Sequence, residues 1–297
     1  MVFSSSTADF GFKIDFARNT EDPARIFRAL SELIKFCEIT DQTLIKYLDI
    51  DVKYKLILDD IEEGSLIVWL KYAFDSINEK INLKLIYSYL VSGKSCIIEF
   101  VQQKNTINRS ELINLQERLH NSAKETKTNP FDIYIPVKDK DLVLSLDSFQ
   151  SAVCDFQDLD KLYYLIGESN VSVNQNFGIS DSQRESLLVK DKKTSTLEMI
   201  LKVKKPDYLG ESKWQFKDKR RTIEVKITDS DWLESFQKNR EFSIKPGDAI
   251  KAEVEVTSKY GFSGELLSTE YVLKKVIEVV SMHDGSQLSL FKDKDQK

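Results

Sequence analysis

The sequence predicts an α+β protein with two folded parts, because the spacing of its apolar residues changes along the chain. In residues 1–166, runs that alternate every second residue are mixed with runs that recur every three to four. Between residues 196 and 281 alternation dominates, which is typical of a small antiparallel β-barrel or sandwich. Residues 167–195 are rich in Ser, Asn, Gln and Lys and predict a polar linker. Residues 282–297 are predicted to be a flexible tail.

The first part begins with a predicted β-α-β-β pattern. Large apolar residues alternate through residues 10–16, which predicts a half-buried strand. Asp22 and Pro23 then favour a helix start, with Asp as the cap and Pro at the first position. An apolar helical face covers residues 26–37, and a second helix is predicted soon after it. Residues 52–72 predict a β-hairpin, and further helices are predicted over the following segments (78–100 and 108–124).

The second part consists of short alternating segments separated by turns. The predicted strands lie near residues 197–203, 214–216, 223–227, 250–256 and 271–280. Lys217 to Arg221 form a charged hairpin tip in this prediction, since the flanking residues alternate on both sides. Several short strands at regular spacing therefore indicate a barrel or sandwich.

Composition narrows the functional classes. The net charge is −5 and the pI about 5.4, so bulk charge does not hold this protein on DNA. The three cysteines are widely spaced in apolar settings, which is typical of a reduced cytoplasmic protein without a disulfide framework. Charged residues interrupt the most apolar stretch, residues 83–101, and the N-terminus has no signal-peptide pattern. We therefore predict a cytoplasmic protein that needs no membrane, metal or cofactor.

A short apolar cluster stands in the predicted tail. Residues 287–291 read QLSLF, that is Gln287, Leu288, Ser289, Leu290 and Phe291. Three large apolar side chains in a polar terminus favour a peptide that docks into a partner's pocket.

The same five residues resemble the pentapeptide by which bacterial replication and repair proteins bind the sliding clamp, the beta subunit of DNA polymerase III. In that family the glutamine occupies a small subsite and the leucine-phenylalanine pair fills an apolar pocket. The resemblance implies the sliding clamp as the partner of Gln287 to Phe291. It covers only these five residues and implies no enzymatic activity. The remaining layout is similar to that of uncharacterised bacterial proteins of mobile-element or defence loci.

A second pattern indicates an enzyme instead. Pro206-Asp207 and Glu224-Val225-Lys226 match the written form of the PD-(D/E)xK nuclease motif. In that motif Asp207 and Glu224 would hold a divalent cation and Lys226 would orient the attacking water. However, Glu224 and Lys226 also alternate with apolar residues, as the solvent face of an ordinary strand does. The sequence favours this plain interpretation.

Positive charge is concentrated in one stretch of this acidic chain. It contains Lys204, Lys205, Lys213, Lys217, Lys219, Arg220 and Arg221, with Tyr208, Trp214 and Phe216 among them. Small barrels that bind single-stranded nucleic acid combine a basic groove with aromatic platforms. The alternative is a solvated hairpin tip whose aromatic residues belong to the core, and the shared strand face of Trp214 and Phe216 favours it.

One phosphate-binding pattern is rejected. Gly93-Lys94-Ser95 ends like a phosphate-binding loop, but Ser88 stands where the first glycine is required.

The sequence therefore predicts a bacterial or phage-derived adaptor that binds the sliding clamp and has no enzymatic activity. The predicted process is replication, repair, mobile-element maintenance or anti-phage defence. The alternatives are a clamp-recruited nuclease and a structural protein of a defence complex. Contact with DNA would be indirect or through the basic hairpin.

Overall fold

The computed structural model describes residues 4–5, 10–16, 22, 24–48, 50–62, 66–76, 81–127, 134–208, 212–239 and 244–280. It divides the chain into two compact units, Met1–Leu188 and Val189–Lys297. The first unit contains helices and a sheet, and the second contains a barrel. The predicted α+β class is therefore confirmed.

The first unit is built on a six-stranded antiparallel sheet. Its strands are β1 (Ser4–Ser5), β2 (Phe10–Asp15), β3 (Val52–Glu62), β4 (Leu66–Ser76), β5 (Lys161–Ile166) and β6 (Ser169–Ser172). Strand β4 pairs with β3 along one edge and with β1 and β2 along the other, and β5 and β6 extend the sheet beyond β2. Its helices are α1 (Arg25–Lys46), α2 (Leu83–Val101), α3 (Arg109–Glu125), α4 (Asp139–Val153) and α5 (Asp181–Leu188).

Alternation in the sequence accounts for the sheet's buried face. Phe10, Phe12 and Ile14 on β2 are fully buried and belong to one core with apolar residues of the helices. Helix α1 differs from the prediction, because it continues without a break through the region predicted as a second helix. That region contains no glycine or proline to end it.

The predicted linker differs most from the structure. Strand β6, helix α5 and the first residues of β7 all lie within residues 167–195, and the division between units falls at residue 188. Phe177, Ile179 and Leu187 are buried in the core of the first unit. These three apolar residues hold the segment against the core, while its exposed side chains are polar. The polar composition of residues 167–195 therefore led to the wrong prediction of a linker.

The second unit contains a closed barrel of five strands. They are β7 (Asp191–Lys205), β8 (Trp214–Asp218), β9 (Arg221–Ile227), β10 (Ala249–Tyr260) and β11 (Leu266–Val280). The order around the barrel is β7-β8-β9-β11-β10, and β10 closes it by pairing with β7. The structure thus decides for a barrel over a sandwich. It also departs from a purely antiparallel barrel, because β9 and β11 pair in parallel.

This strand order is that of the OB-fold, a small Greek-key barrel. Helix α6 (Ser230–Glu234) and a π-helical turn (Ser235–Asn239) connect the third strand to the fourth. Trp232 and Phe236 of this connection stack with ring centroids 5.8 Å apart, and Phe236 contacts Trp214 in the barrel core. The connection therefore contributes aromatic residues to the barrel's core.

Three strands are much longer than the barrel requires. Strands β7 and β11 have 15 residues each and β10 has 12, whereas β8 has 5 and β9 has 7. The extra lengths pair with one another to form a three-stranded extension. We call this extension the β-arm: residues 191–198 of β7, 255–260 of β10 and 266–270 of β11.

Two further findings bear on the predictions. Among the described helices, none combines the length and apolarity needed to cross a lipid bilayer. Residues 287–291, the predicted docking peptide, lie outside the described residues.

Candidate nucleic-acid interface on the barrel

The outer face of strands β7, β8 and β9 is basic. Alternation places Leu201 and Val203 inside the barrel and leaves Lys202 and Lys204 exposed. Lys202 lies directly opposite Lys217 on β8, and Lys217 lies opposite Thr222 on β9. The Lys204 ammonium reaches across β8 to 3.5 Å from the Thr222 hydroxyl. We call this surface, Lys202, Lys204, Lys217 and Thr222, the basic face.

The lysines of the basic face are not neutralised by the described residues. None of the three has a described carboxylate within ion-pair distance. Like charges directly opposite each other on neighbouring strands destabilise a sheet. Lys202 and Lys217 therefore repel one another unless an anion lies between them.

Three lysines elsewhere on the same unit are paired. On the outer surface of β7, β10 and β11 they form ion pairs with glutamates, namely Lys251–Glu198 at 2.7 Å, Lys274–Glu255 at 3.2 Å and Lys259–Glu270 at 2.7 Å. Part of the positive charge on that surface is therefore neutralised, whereas no described carboxylate neutralises the basic face of this acidic chain.

The hairpin between β8 and β9 continues the positive charge. Asp218 pairs with Arg221, so Lys219 and Arg220 form the two-residue turn, and all three cations are exposed. Lys219 has a φ of 52°, a left-handed conformation that a residue with a Cβ adopts at a cost. The turn thus carries a lysine where glycine or asparagine would be the favoured residue.

Tyr208 is a fixed aromatic residue at the other end of β8. It lies in the loop between β7 and β8, where its hydroxyl donates to the Ile244 carbonyl at 2.8 Å. Its ring packs against Phe236 with centroids 5.4 Å apart, yet half of the residue (50%) remains exposed. Lys205 and Lys213 are exposed in the same connection. An oriented, half-exposed ring is suited to stacking on a nucleobase.

The other two aromatic residues of the basic stretch do not lie on this surface. Trp214 is 1% exposed and Phe216 is 0% exposed, and both belong to the barrel core. Sequence reasoning predicted this core role for both. It did not single out Lys202, although the alternation of Leu201 and Val203 with lysines was a usable signal.

The residues of the nuclease alternative have separate surroundings. The Asp207 carboxylate accepts hydrogen bonds from the backbone N–H and the hydroxyl of Ser212, which fix its own loop. Glu224 and Lys226 are exposed on β9, with Glu224 opposite Gln215. Asp207 follows strand β7, and the helix that precedes this strand, α5, belongs to the first unit. Within the described part of the chain, no group of three or more metal-ligating side chains occurs.

The rejected phosphate-binding pattern is helical and buried. Lys94 lies in the middle of α2 and is 0% exposed. Its ammonium donates to the Asp41 carboxylate at 2.5 Å, to the Tyr72 hydroxyl at 2.5 Å and to the Leu90 carbonyl at 2.8 Å. Tyr72 in turn donates to the second carboxylate oxygen of Asp41. Burial raises the pKa of Asp41, and the Lys94 charge opposes this rise. This cluster is structural, because no phosphate can reach it.

The first unit also has an open polar depression of about 610 Å³ between α2 and α3. Lys104 and Arg118 lie 5.1 and 5.2 Å from the Phe100 ring in its wall. Lys104 also pairs with Glu111 at 2.6 Å and holds the pKa of that carboxyl below its usual range. Its charges are therefore balanced within the depression, unlike those of the basic face.

Comparisons with protein-family models, curated proteins and solved structures find no match to this chain. The assignment of the second unit to the OB-fold class therefore rests on its strand order and on the helical connection between the third and fourth strands.

Proposed function

We propose that this protein is a non-enzymatic adaptor that binds single-stranded nucleic acid on its barrel and the bacterial sliding clamp through residues 287–291. The observation that carries the nucleic-acid part is the basic face: three exposed lysines on neighbouring strands with no described carboxylate to neutralise them. The clamp part rests on the resemblance of the QLSLF segment to clamp-binding peptides.

The basic face suits a phosphate backbone better than a base sequence. Lysine ammonium groups are point charges on flexible stems, which neutralise phosphates without reading base edges. Tyr208 adds a stacking surface that tolerates any base. Binding is therefore expected to depend strongly on salt and weakly on sequence.

The clamp-binding peptide would bring the barrel close to DNA, which the charge of the chain does not do. A chain with a net charge of −5 is not concentrated on DNA by its overall field. A peptide that docks on a ring encircling DNA raises the local concentration of the barrel near the strand. The two weak contacts then act together.

The first experiment measures the barrel contact. We expect Lys202→Ala combined with Lys217→Ala to weaken binding of a fluorescent single-stranded oligonucleotide at least about tenfold, and to lower the salt slope by about 0.7 for each lost phosphate contact. The control is Lys251→Ala with Lys274→Ala, which removes the same charge from two lysines paired with glutamates. Equal loss in both variants, or no loss in either, would contradict the assignment of the basic face.

The same oligonucleotide distinguishes the nuclease alternative. With Mg²⁺ or Mn²⁺ present we expect it to be recovered at full length. Cleavage that disappears in Glu224→Ala would replace the adaptor proposal with a metal-dependent nuclease.

The second experiment measures the clamp contact by calorimetry. A single short peptide that orders on binding is expected to have a Kd of about 1 μM, near −8 kcal/mol. Leu290→Ala with Phe291→Ala should remove about 3 kcal/mol or more, because pocket-filling anchors dominate such contacts. Ser289→Asp should be tolerated. Unchanged binding of the double variant would refute the clamp assignment, and a lowered Tm would show that these residues pack in the protein's own core.

A further inference from the structure

Strand β7 has a long edge that no described strand covers. Strand β10 pairs with it continuously from Asp191 to Lys202, along one side. On the other side, β8 pairs only with positions near its end, Lys202, Val203 and Lys205. Among the described residues no strand covers the outer side of residues 191–201, and residues 191–198 are all exposed.

This edge is unusually regular. The pairing of β7 with β10 has no register shift, whereas the pairing of β10 with β11 has three. On the opposite side of the sheet, β9 covers the edge of β11 from Tyr271 to Leu273 and the Asp229 carboxylate accepts from the Val276 N–H. Among the described residues, the short stretch 266–270 of β11 is left uncovered there. Natural proteins protect sheet edges with bulges, prolines and covering groups. The β7 edge has no proline between residues 191 and 201, and it is the longer of the two edges that the described residues leave open to another strand.

The direction of the backbone groups follows from one hydrogen bond. The Val203 N–H donates to the Asp248 carbonyl at 2.7 Å, so Val203 points its polar groups towards β10. Directions alternate along a strand, and the register to β10 is unbroken. The even positions 192, 194, 196 and 198 therefore direct their N–H and C=O groups to the uncovered edge of β7.

We infer that a second copy of this chain pairs with the uncovered edge of β7, antiparallel and centred on Ser195. In this register Lys192 lies opposite Glu198 of the other copy, twice by symmetry, and Thr194 lies opposite Thr196. Opposite charges and paired threonines are favourable cross-strand neighbours. The hydrogen-bonding positions coincide as well, since all four residues direct their backbone groups outward.

Neighbouring registers are less complementary. Centring the pair on Thr196 sets Lys192 opposite Ile200, and Thr194 opposite Glu198. In the register centred on Ser195, Leu197, which is 50% exposed on the single chain, lies opposite Lys193. The lysine stem can then cover the leucine while the ammonium group stays in water. The register centred on Thr194 would also set a lysine, Lys190, opposite Glu198, but the Lys190 N–H is already donated to the Tyr260 carbonyl of β10 at 2.8 Å. Charge and hydrogen-bonding complementarity together thus favour the register centred on Ser195, with a second copy as the occupant.

The dimer would join the two β-arms in one sheet that runs from β11 of one copy to β11 of the other. It does not depend on the nucleic-acid or clamp contacts. It would nevertheless present two basic faces and two copies of residues 287–291, and linked sites bind with an affinity greater than either alone.

Sedimentation equilibrium of the full chain tests this inference. We expect a concentration-dependent dimer with twice the chain mass of 34.3 kDa. Lys192→Glu should weaken dimerisation about tenfold, because two attractive pairs become repulsive. Thr196→Pro should abolish the dimer, since it removes an outward N–H without breaking a bond to β10. Lys226→Glu, at an exposed position on β9 away from this edge, is the charge-matched control and should have little effect.

Charge exchange provides the decisive comparison. Glu198→Lys alone loses its pair with Lys251 as well as the contact between copies. The double variant Lys192→Glu with Glu198→Lys loses the same internal pair, so stronger dimerisation of the double variant isolates the contact between copies. A monomer at every concentration in the micromolar range would overturn the inference. A dimer unaffected by both Thr196→Pro and Lys192→Glu would overturn it as well, and thermal melts confirm that each variant is folded.

Discussion

Lys94 is a cation without contact with water. Its three ammonium hydrogens match three acceptors, on Asp41, Tyr72 and Leu90, and the ring centroids of Phe10 and Tyr72 lie 4.8 and 5.2 Å away. A buried ion pair is tolerated only when every polar atom is satisfied in this way. Because the three hydrogen-bonding side chains come from α1, β4 and α2, the cluster also fixes how these elements meet.

Removal of one partner should therefore lower the free energy of unfolding more than removal of both charges does. We expect Lys94→Met to lower the free energy of unfolding by about 3–5 kcal/mol, because Asp41 is left buried without its cation. Adding Asp41→Leu should recover part of this loss. Urea denaturation of the two single variants and the double variant forms the cycle, and additive losses would show that the pair acts as two independent groups.

The β8–β9 hairpin shows a conflict between stability and charge. Its strands pair from Trp214 to Asp218, and the turn residue Lys219 adopts a positive φ. Local rules favour glycine or asparagine at such a position. The observed lysine keeps a cation at the tip, next to two arginines, but it makes the conformation of the turn less favourable.

Lys219→Gly should raise the free energy of unfolding by about 1 kcal/mol, because the left-handed conformation becomes free of strain. The same variant should weaken oligonucleotide binding. Arg220→Gly is the matched control: it removes the same charge where φ is not positive, so it should lower stability. Chemical denaturation and fluorescence anisotropy measure the two effects, and equal stability changes in both variants would contradict the role of the φ angle.

The division of the chain assigns residues 167–188 to the first unit. Phe177 is 3% exposed and contacts the Phe149 ring of α4, with centroids 5.8 Å apart. Asn174 adds two hydrogen bonds to the carbonyls of Val101 and Lys104, at the end of α2. The segment thus completes the core formed by α2 and α4, and it is not a flexible linker.

Phe177→Ala should lower the free energy of unfolding of the first unit by about 3–5 kcal/mol through the cavity it leaves. Ser182→Ala, at an exposed position in α5, is the control and should change it by less than about 0.5 kcal/mol. The test is urea denaturation of the full chain. A loss no larger than that of the control would show that the segment behaves as the linker its composition predicts.

Periodicity was enough to predict much of the fold. The alternation of Trp214 and Phe216 with polar residues predicted their place in the barrel core, and the helix predicted over residues 108–124 is present as α3. The charged tip of the second hairpin was also visible. These features depend on residues within about one turn or one strand of each other, which a sequence displays directly.

Contacts between distant residues were decided by the tertiary structure. Lys94 is buried because Asp41, 53 positions away, lies beside it, and no local pattern shows such a pair. No local pattern shows the parallel pairing of β9 with β11 within the barrel either. Nor does one show which lysines are neutralised by glutamates and which, on the basic face, are not. The sequence by itself determined which residues alternate, and it predicts a docking peptide at residues 287–291. The cap predicted at Asp22 was wrong, because α1 begins at Arg25 with Ala24 as its N-cap. The structure alone decided which charges meet, because that depends on elements brought together by burial of the core.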